Sequence, residues 1–401
     1  MANAAVGSAP SGSASSSGGS NPASANPFQI ATNLYAEKNL QGAVTSLLLT
    51  GAAIQQGGSV NAGQYLRCLR LMYRTIVAAV GGTVLGDAPW SVFSGMDLTN
   101  VDGSEILYNM GGYAYYLREK YFRPWLTEPG SRYDYTAASA TSGGSGTISL
   151  MPEVRFTAGV LANTDTRSQY RFDYALNGAG LYSAITTYPT VAVIPYMDAW
   201  AQPDAQDLQG TPNQPVPPGV NLQTKARHQL FQLNGNGTDN TLLSTLTGNA
   251  IRGHLIVTRT AAGARVDGFT DPFYWYLDNR SLGRLNPDMI RQWAEDFYGN
   301  FRMAGMSNAQ TPGNPSATST NATDPIGGTG LYAGAGAFDQ GVYVFPRWIE
   351  PGELYGQGWL YTANSTKLLF ESSTQNSATT AELISDEVYP VGQVDPNLVD
   401  I

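Results

Sequence analysis

The apolar positions of the chain come in short runs separated by turn residues, and the sequence of runs occurs twice. Strand-like segments cover Gln64 onward, Ile148 to Thr157 and Thr190 to Tyr196. They return from Ala250 onward, at Gly341 to Arg347, at Lys367 to Glu371 and at Glu382 to Val391. Between early and late strands of each set the period changes from strand-like to helical. Tyr113, Leu117 and Tyr121 stand at i, i+4 and i+8, as do Met289, Trp293 and Phe297, which predicts one apolar stripe on each of two helices. The second helix has a start signal in Asn286, Pro287 and Asp288. Ahead of all this, Leu34, Leu40, Ala43, Leu47 and Leu48 share a helical face, so a short lead-in helix is expected within residues 33–57.

The two sets align. With a shift of 185 positions Arg67 falls on Arg252, Leu71 on Ile256, Arg74-Thr75 on Arg259-Thr260 and Trp90 on Trp275. Asp87 matches Asp271 with one gap, and a shift of 176 superposes the two helical stripes. The first copy then carries Met96 to Gly103, whose Asp102-Gly103 marks a hairpin turn. Each helix is followed by a polar insertion, Tyr135 to Thr147 in one copy and Met303 to Ala337 in the other. A period of about 180 residues is too long for a solenoid and suits a β-sandwich with insertions. The expected organisation is an arm (residues 1–32), the lead-in (33–57), a first β unit (58–205), a linker (206–221) within the Pro- and Gln-rich stretch from Gln202 to Asn221, a second β unit (222–395) and a tail (396–401).

Composition sharpens this picture. With 45 Gly, 23 Pro and 13% charged residues, the chain suits a turn-rich β protein better than a helical one. The net charge of −9 repels phosphate and argues against direct nucleic-acid binding. Residues 1–26 are small and polar and contain no basic residue, so this arm cannot fold alone. Both a plain tail and an arm that orders on a neighbouring subunit remain open. No secretory leader is visible, and Leu40 to Ile54 is too short and mixed to span a bilayer, which takes about 20 apolar residues. A cytoplasmically made, soluble protein is expected. Cys68 is the single cysteine, read as a buried apolar residue.

The search for chemistry yields little. His228 and His254 are the two histidines, and no Gly-x-Ser-x-Gly elbow supports a triad around either. His254 reads as a packed or surface imidazole and His228 as a surface strand residue. Asp97, Asn100, Asp102 and Glu105 offer oxygen ligands for Ca²⁺, but their spacing is not that of an EF-hand and a hairpin turn accounts for them. Gly327 to Gly336 lacks the lysine of a phosphate loop. Glu119, Glu295 and Asp296 lie opposite the helical stripes, which predicts solvated faces rather than a catalytic pair. No catalytic, cofactor or metal residue is therefore assigned, and no enzyme activity is expected. The aromatic clusters Tyr113, Tyr115, Tyr116, Tyr121 and Phe122, then Phe273 to Tyr276, suit sandwich cores and subunit contacts, with sugar stacking as the rival reading.

With its duplicated β unit, a helix inside each copy and long polar insertions, the chain resembles the double jelly-roll major capsid proteins of tailless, membrane-containing, tectivirus-like phages. The resemblance spans roughly residues 60–395. It implies an all-β fold of two tandem eight-stranded jelly-roll barrels, each with an inserted helix and loops raised as towers. It further implies a homotrimeric pseudo-hexagonal capsomer that tiles an icosahedral shell. Penton and minor capsid proteins would be partners, and the N-terminal segment would face neighbouring capsomers or an internal membrane. The implied location is the virion, with synthesis in the host cytoplasm. A carbohydrate- or receptor-binding β-sandwich component of a phage is the alternative, and Trp275 is its natural test. A coat protein of the tailed-phage fold fits poorly, because that fold is not a duplicated barrel.

Overall fold

A computed structural model describes residues 25–28, 34–38, 41–60, 65–122, 136, 138–150, 161–162, 167–215, 223–287, 289–290, 341–346 and 359–389. The first repeat contributes β1 (Leu34–Lys38), β2 (Val44–Leu48), β3 (Ile54–Val60), β4 (Tyr65–Val77), β5 (Thr83–Val84), β6 (Phe93–Thr99) and β7 (Glu105–Leu107). Helix α1 (Gly112–Phe122) follows, then β8 (Ser145–Leu150), β9 (Leu161–Ala162), β10 (Tyr170–Leu176), β11 (Tyr182–Ser183) and β12 (Thr190–Trp200). The second repeat contributes β13 (Gln223–Gln232), β14 (Asp239–Ser244), β15 (Ala250–Thr260), β16 (Phe273–Leu277) and β17 (Arg280–Leu285). It ends with β18 (Val342–Pro346), β19 (Leu360–Tyr361), β20 (Leu368–Ser373) and β21 (Ala378–Tyr389).

Each repeat folds into two facing four-stranded sheets. In the first barrel the orders are β1-β12-β4-β8 and β3-β10-β6-β7, with β2 sharing the edge of β12 with β1. In the second they are β13-β21-β15-β18 and β14-β20-β16-β17. Strand for strand this is one jelly roll made twice, with the helix entering after the seventh strand of the first copy. Over β4 and β15 the repeat alignment is also the structural one. Leu71 of β4 lies between Pro195 and Ile148, and Ile256 of β15 lies between Leu383 and Tyr343, the corresponding neighbours.

The barrels are joined by main chain as well as side chains. Strand β7 of the first pairs in parallel with β13 of the second at Leu107 and Ala226, so one sheet runs through both. The second barrel encloses its own core of Ile256, Phe273, Trp275, Tyr343, Phe345 and Phe370. The opposite face of the same sheet carries Leu255, Val257, Val342, Val344, Ile384 and Val388, and these belong to the first barrel's core cluster. Strand β15 is consequently buried on both faces over most of its length. At roughly 1.5–3 kcal/mol for each large apolar side chain removed from water, this second face is a principal source of cohesion between the barrels.

Three expectations need correction. Where described, the lead-in is not helical: Leu34–Lys38 form β1 and Val44–Leu48 form β2, with a turn at Gln41-Gly42. Gly42 has φ 85, and a Cβ there would come within 2.9 Å of the Gly57 Cα, so the close turn requires glycine. The apolar positions of two short strands across a tight turn had imitated a helical period. The first insertion is not a raised tower. Residues 138–144 fold back onto the barrel, where the Tyr73 and Tyr182 hydroxyls donate to the Gly143 and Ser139 carbonyls. The arm is pinned at its end. Asn26 hydrogen-bonds Asp207 and Asn213 of the linker, and Phe28 packs against Tyr65 and Trp200. The remainder of the arm, most of the second helix and the Met303 to Ala337 insertion lie outside the described residues.

Candidate functional site

The feature of the molecule that concentrates buried charge is the seam between the barrels. Helix α1 lies in it. An amphipathic helix with a solvated face was expected, yet ten of its eleven residues are buried and Lys120 alone is not. The cause is tertiary, because one side of α1 packs on its own barrel and the other on β15 and β21. Trp90 stacks on Tyr116 at 5.4 Å on the near side. On the far side Phe122 rests on Gly253 of β15, where a Cβ would lie 2.2 Å from the ring. Gly253 is the close-approach point of the two barrels. Glu119, expected on a solvated face, is buried and accepts from the Ser149 backbone N–H at 3.2 Å.

Arg118 reaches across the seam. Its guanidinium binds the Asp386 Oδ1 through Nε at 2.7 Å and Nη2 at 2.6 Å. Arg252 binds the other oxygen, Oδ2, through Nε at 2.7 Å and Nη2 at 2.5 Å. Asp386 and Arg252 are fully buried, and Arg118 is 2% exposed. Arg118 Nη1 also donates to the Tyr115 hydroxyl at 2.9 Å. Burial opposes the charged guanidinium of Arg118, and Asp386 outweighs that, so its pKa is raised.

A second cluster closes the seam at one end. Asp87, in the turn before β6, pairs with Arg259 at 2.5 Å and Arg265 at 2.7 Å, both from the second barrel. Both guanidiniums also lie over the Tyr113 ring of α1, at 5.7 and 5.1 Å. Burial alone would raise the Asp87 pKa, but the two arginines overcome it and hold the carboxyl below its ordinary range. The sign of the linkage follows. This stabilisation is complete above the ordinary aspartate pKa of about 3.9 and is lost as pH falls through the depressed folded value. Thermal melts between about pH 7 and pH 3 are expected to show Asp87→Asn destabilised by about 2 kcal/mol at neutral pH. The variant should also lose less stability on acidification than the wild type.

The residues considered for chemistry have structural employment. His254 lies in the second core, edge-on to Trp275 at 5.9 Å and near Phe370 at 6.0 Å. His228 Nδ1 meets the Glu382 carboxylate at 3.0 Å on the surface of β13, and that hydrogen bond raises its pKa. Asp97, Asn100 and Asp102 each spend an oxygen on a backbone N–H, of Asn109, Val101 and Ser104 respectively. Among the described residues no three His, Cys, Asp or Glu side chains are grouped to hold a metal. Among them, too, no helix is long and apolar enough to cross a membrane. Cys68 is buried and in no disulfide. Trp275 is 2% exposed, so it offers no face to a sugar. The repeat had marked Arg252, Arg259 and Asp87, but nothing in their spacing announced Asp386 as the partner of Arg118 across the seam.

No protein-family model matches the chain, and no curated protein sequence matches it. Solved structures do. The STIV MCP matches with a TM-score of 0.55 and 10% identity, over 90% of this chain and 99% of that one. A chain of the atomic structure of Sulfolobus Turreted Icosahedral Virus matches at 0.55 and 12% identity, over 90% and 92%. A chain of the PBCV-1 virus capsid matches at 0.50 and 9% identity, over 89% and 94%. These likenesses extend across both barrels and show that the chain has the double jelly-roll fold found in those capsids.

Proposed function

We propose that this chain is a viral major capsid protein that assembles as a homotrimer of pseudo-hexagonal outline and tiles an icosahedral shell. The observation that carries this reading is two equivalent jelly rolls locked side by side by a shared sheet and a buried seam. Such a unit presents two similar sandwich surfaces at a fixed spacing, which is what a near-sixfold tile needs from three copies. The double jelly-roll likeness to capsid chains over about nine-tenths of the molecule supports it. The work is self-association driven by burial of apolar surface, with no bond made or broken.

The same proposal places the protein in the virion after synthesis in a host cytoplasm, in contact with penton and minor capsid proteins. The N-terminal arm lies on the inner side, toward neighbouring capsomers or an internal membrane. The net charge of −9 disfavours direct contact with the genome. Light scattering coupled to size exclusion is the test. Three chain masses are expected, with particles of hexagonal outline by electron microscopy. A strictly monomeric protein at high concentration would overturn the proposal.

A further inference from the structure

Within the chain, the barrels meet through unlike surfaces. The first offers its helix side and the turn bearing Asp87, and the second offers the outer face of β15 and β21 with Arg259 at its end. Contacts between unlike faces of equivalent units propagate from copy to copy, and close into rings when the rotation permits. Because the two barrels are repeats, the first must carry its own version of the accepting face, and the second its own version of the Asp87 turn.

Both versions are present. Arg70, Met72 and Arg74 of β4 hold the positions of Leu255, Val257 and Arg259 in β15. Tyr196 and Asp198 of β12 hold those of Ile384 and Asp386. In the second barrel this face is buried by α1, whereas in the first it is half-buried and Arg74 is exposed. Arg74 forms no ion pair with any described residue. The end of β4 and the residues just after it expose Ile76, Val77 and Val80 by 46%, 55% and 57%. On the other barrel Asp271 matches Asp87 and directly precedes Pro272. Its side chain is 48% exposed, and its nearest cation is Arg284 at 4.0 Å, itself 61% exposed.

We propose that a second copy of this chain docks against the β4–β12 face of the first barrel, with Arg74 of one copy pairing with Asp271 of the next. The contact repeats between chains what Arg259 and Asp87 do within one. Ile76, Val77 and Val80 become buried beside it, which accounts for an exposed apolar patch at this end of the sheet. This inference rests on the self-assembly proposed above and names the residues that give it register.

Charge reversal tests it on the full-length protein. Arg74→Asp and Asp271→Arg are each expected to raise the concentration of half-dissociation roughly tenfold or more, since each puts like charges together. The double variant restores wild-type assembly. Both positions are exposed, so melting temperatures should stay near wild type and separate loss of assembly from loss of fold. A second readout uses Arg74→Cys with Asp271→Cys, which under oxidation gives covalently linked oligomers that either single variant lacks. If the wild type assembles but both reversals are silent, the double variant shows no rescue or no cross-link forms, the pairing is wrong while the coat reading stands. A monomeric wild type overturns both.

Discussion

Replacing Asp386 by Asn is expected to cost about 3–5 kcal/mol of stability, read as a lowered denaturation midpoint. Asparagine keeps the shape of the carboxyl but not its charge. Two guanidiniums, fully buried at Arg252 and 2% exposed at Arg118, would lose the carboxylate that both of them bind. Neither can shed its proton to escape the cost. Arg118 belongs to the first repeat while Arg252 and Asp386 belong to the second, so the variant also loosens the seam. A single cooperative transition in the wild type should separate into two as the barrels uncouple. Replacing all three residues together by apolar ones of similar volume should cost far less, because the buried charges are removed together. A loss below about 1 kcal/mol in Asp386→Asn would mean that water reaches the guanidiniums and that the triad is not a dry lock.

The second large effect is expected from Trp275→Ala, at about 3–5 kcal/mol. Trp275 packs against His254, Phe345 and Phe370, with ring centroids 5.5 Å away for the two phenylalanines. Removing the indole empties the middle of the second core, and the surrounding rings come from β15, β18 and β20 and cannot all collapse inward. Trp275→Phe should lose much less, since most of the ring contact survives. A folded, fully stable Trp275→Ala that had lost binding to glycans would instead make this residue a sugar platform. Its burial at 2% exposure argues for the core role.

The repeat was legible because both copies build the same central strand, and the chemistry of a central strand constrains its residues similarly each time. Leu71 and Ile256 therefore align in sequence and again in the sheets, whereas Trp90 lies in a 3-10 turn ahead of β6 and Trp275 within β16. Glu119 was visible but misassigned. It was placed opposite an apolar stripe, and the rule for an isolated surface helix sends such a residue to water. The rule failed because α1 has protein on both sides. On the second helix, Met289 was placed on the buried stripe, yet it is 62% exposed and Ile290 is the buried neighbour. A one-residue error of this kind is what a helical period permits when the entry angle of the chain is unknown.

Local alternation, turn chemistry and duplication belong to the linear chain, and they were enough to specify an all-β protein of two like units with a helix in the first. Which side of each sheet meets solvent is not a local property. Leu255 and Ile256 look alike in sequence, but one faces the first barrel and the other the second core. Asp386 likewise becomes the partner of Arg118, 268 positions away, only when β21 and α1 are brought together. The pleat assigns neighbours to opposite faces, while the fold alone decides what each face touches.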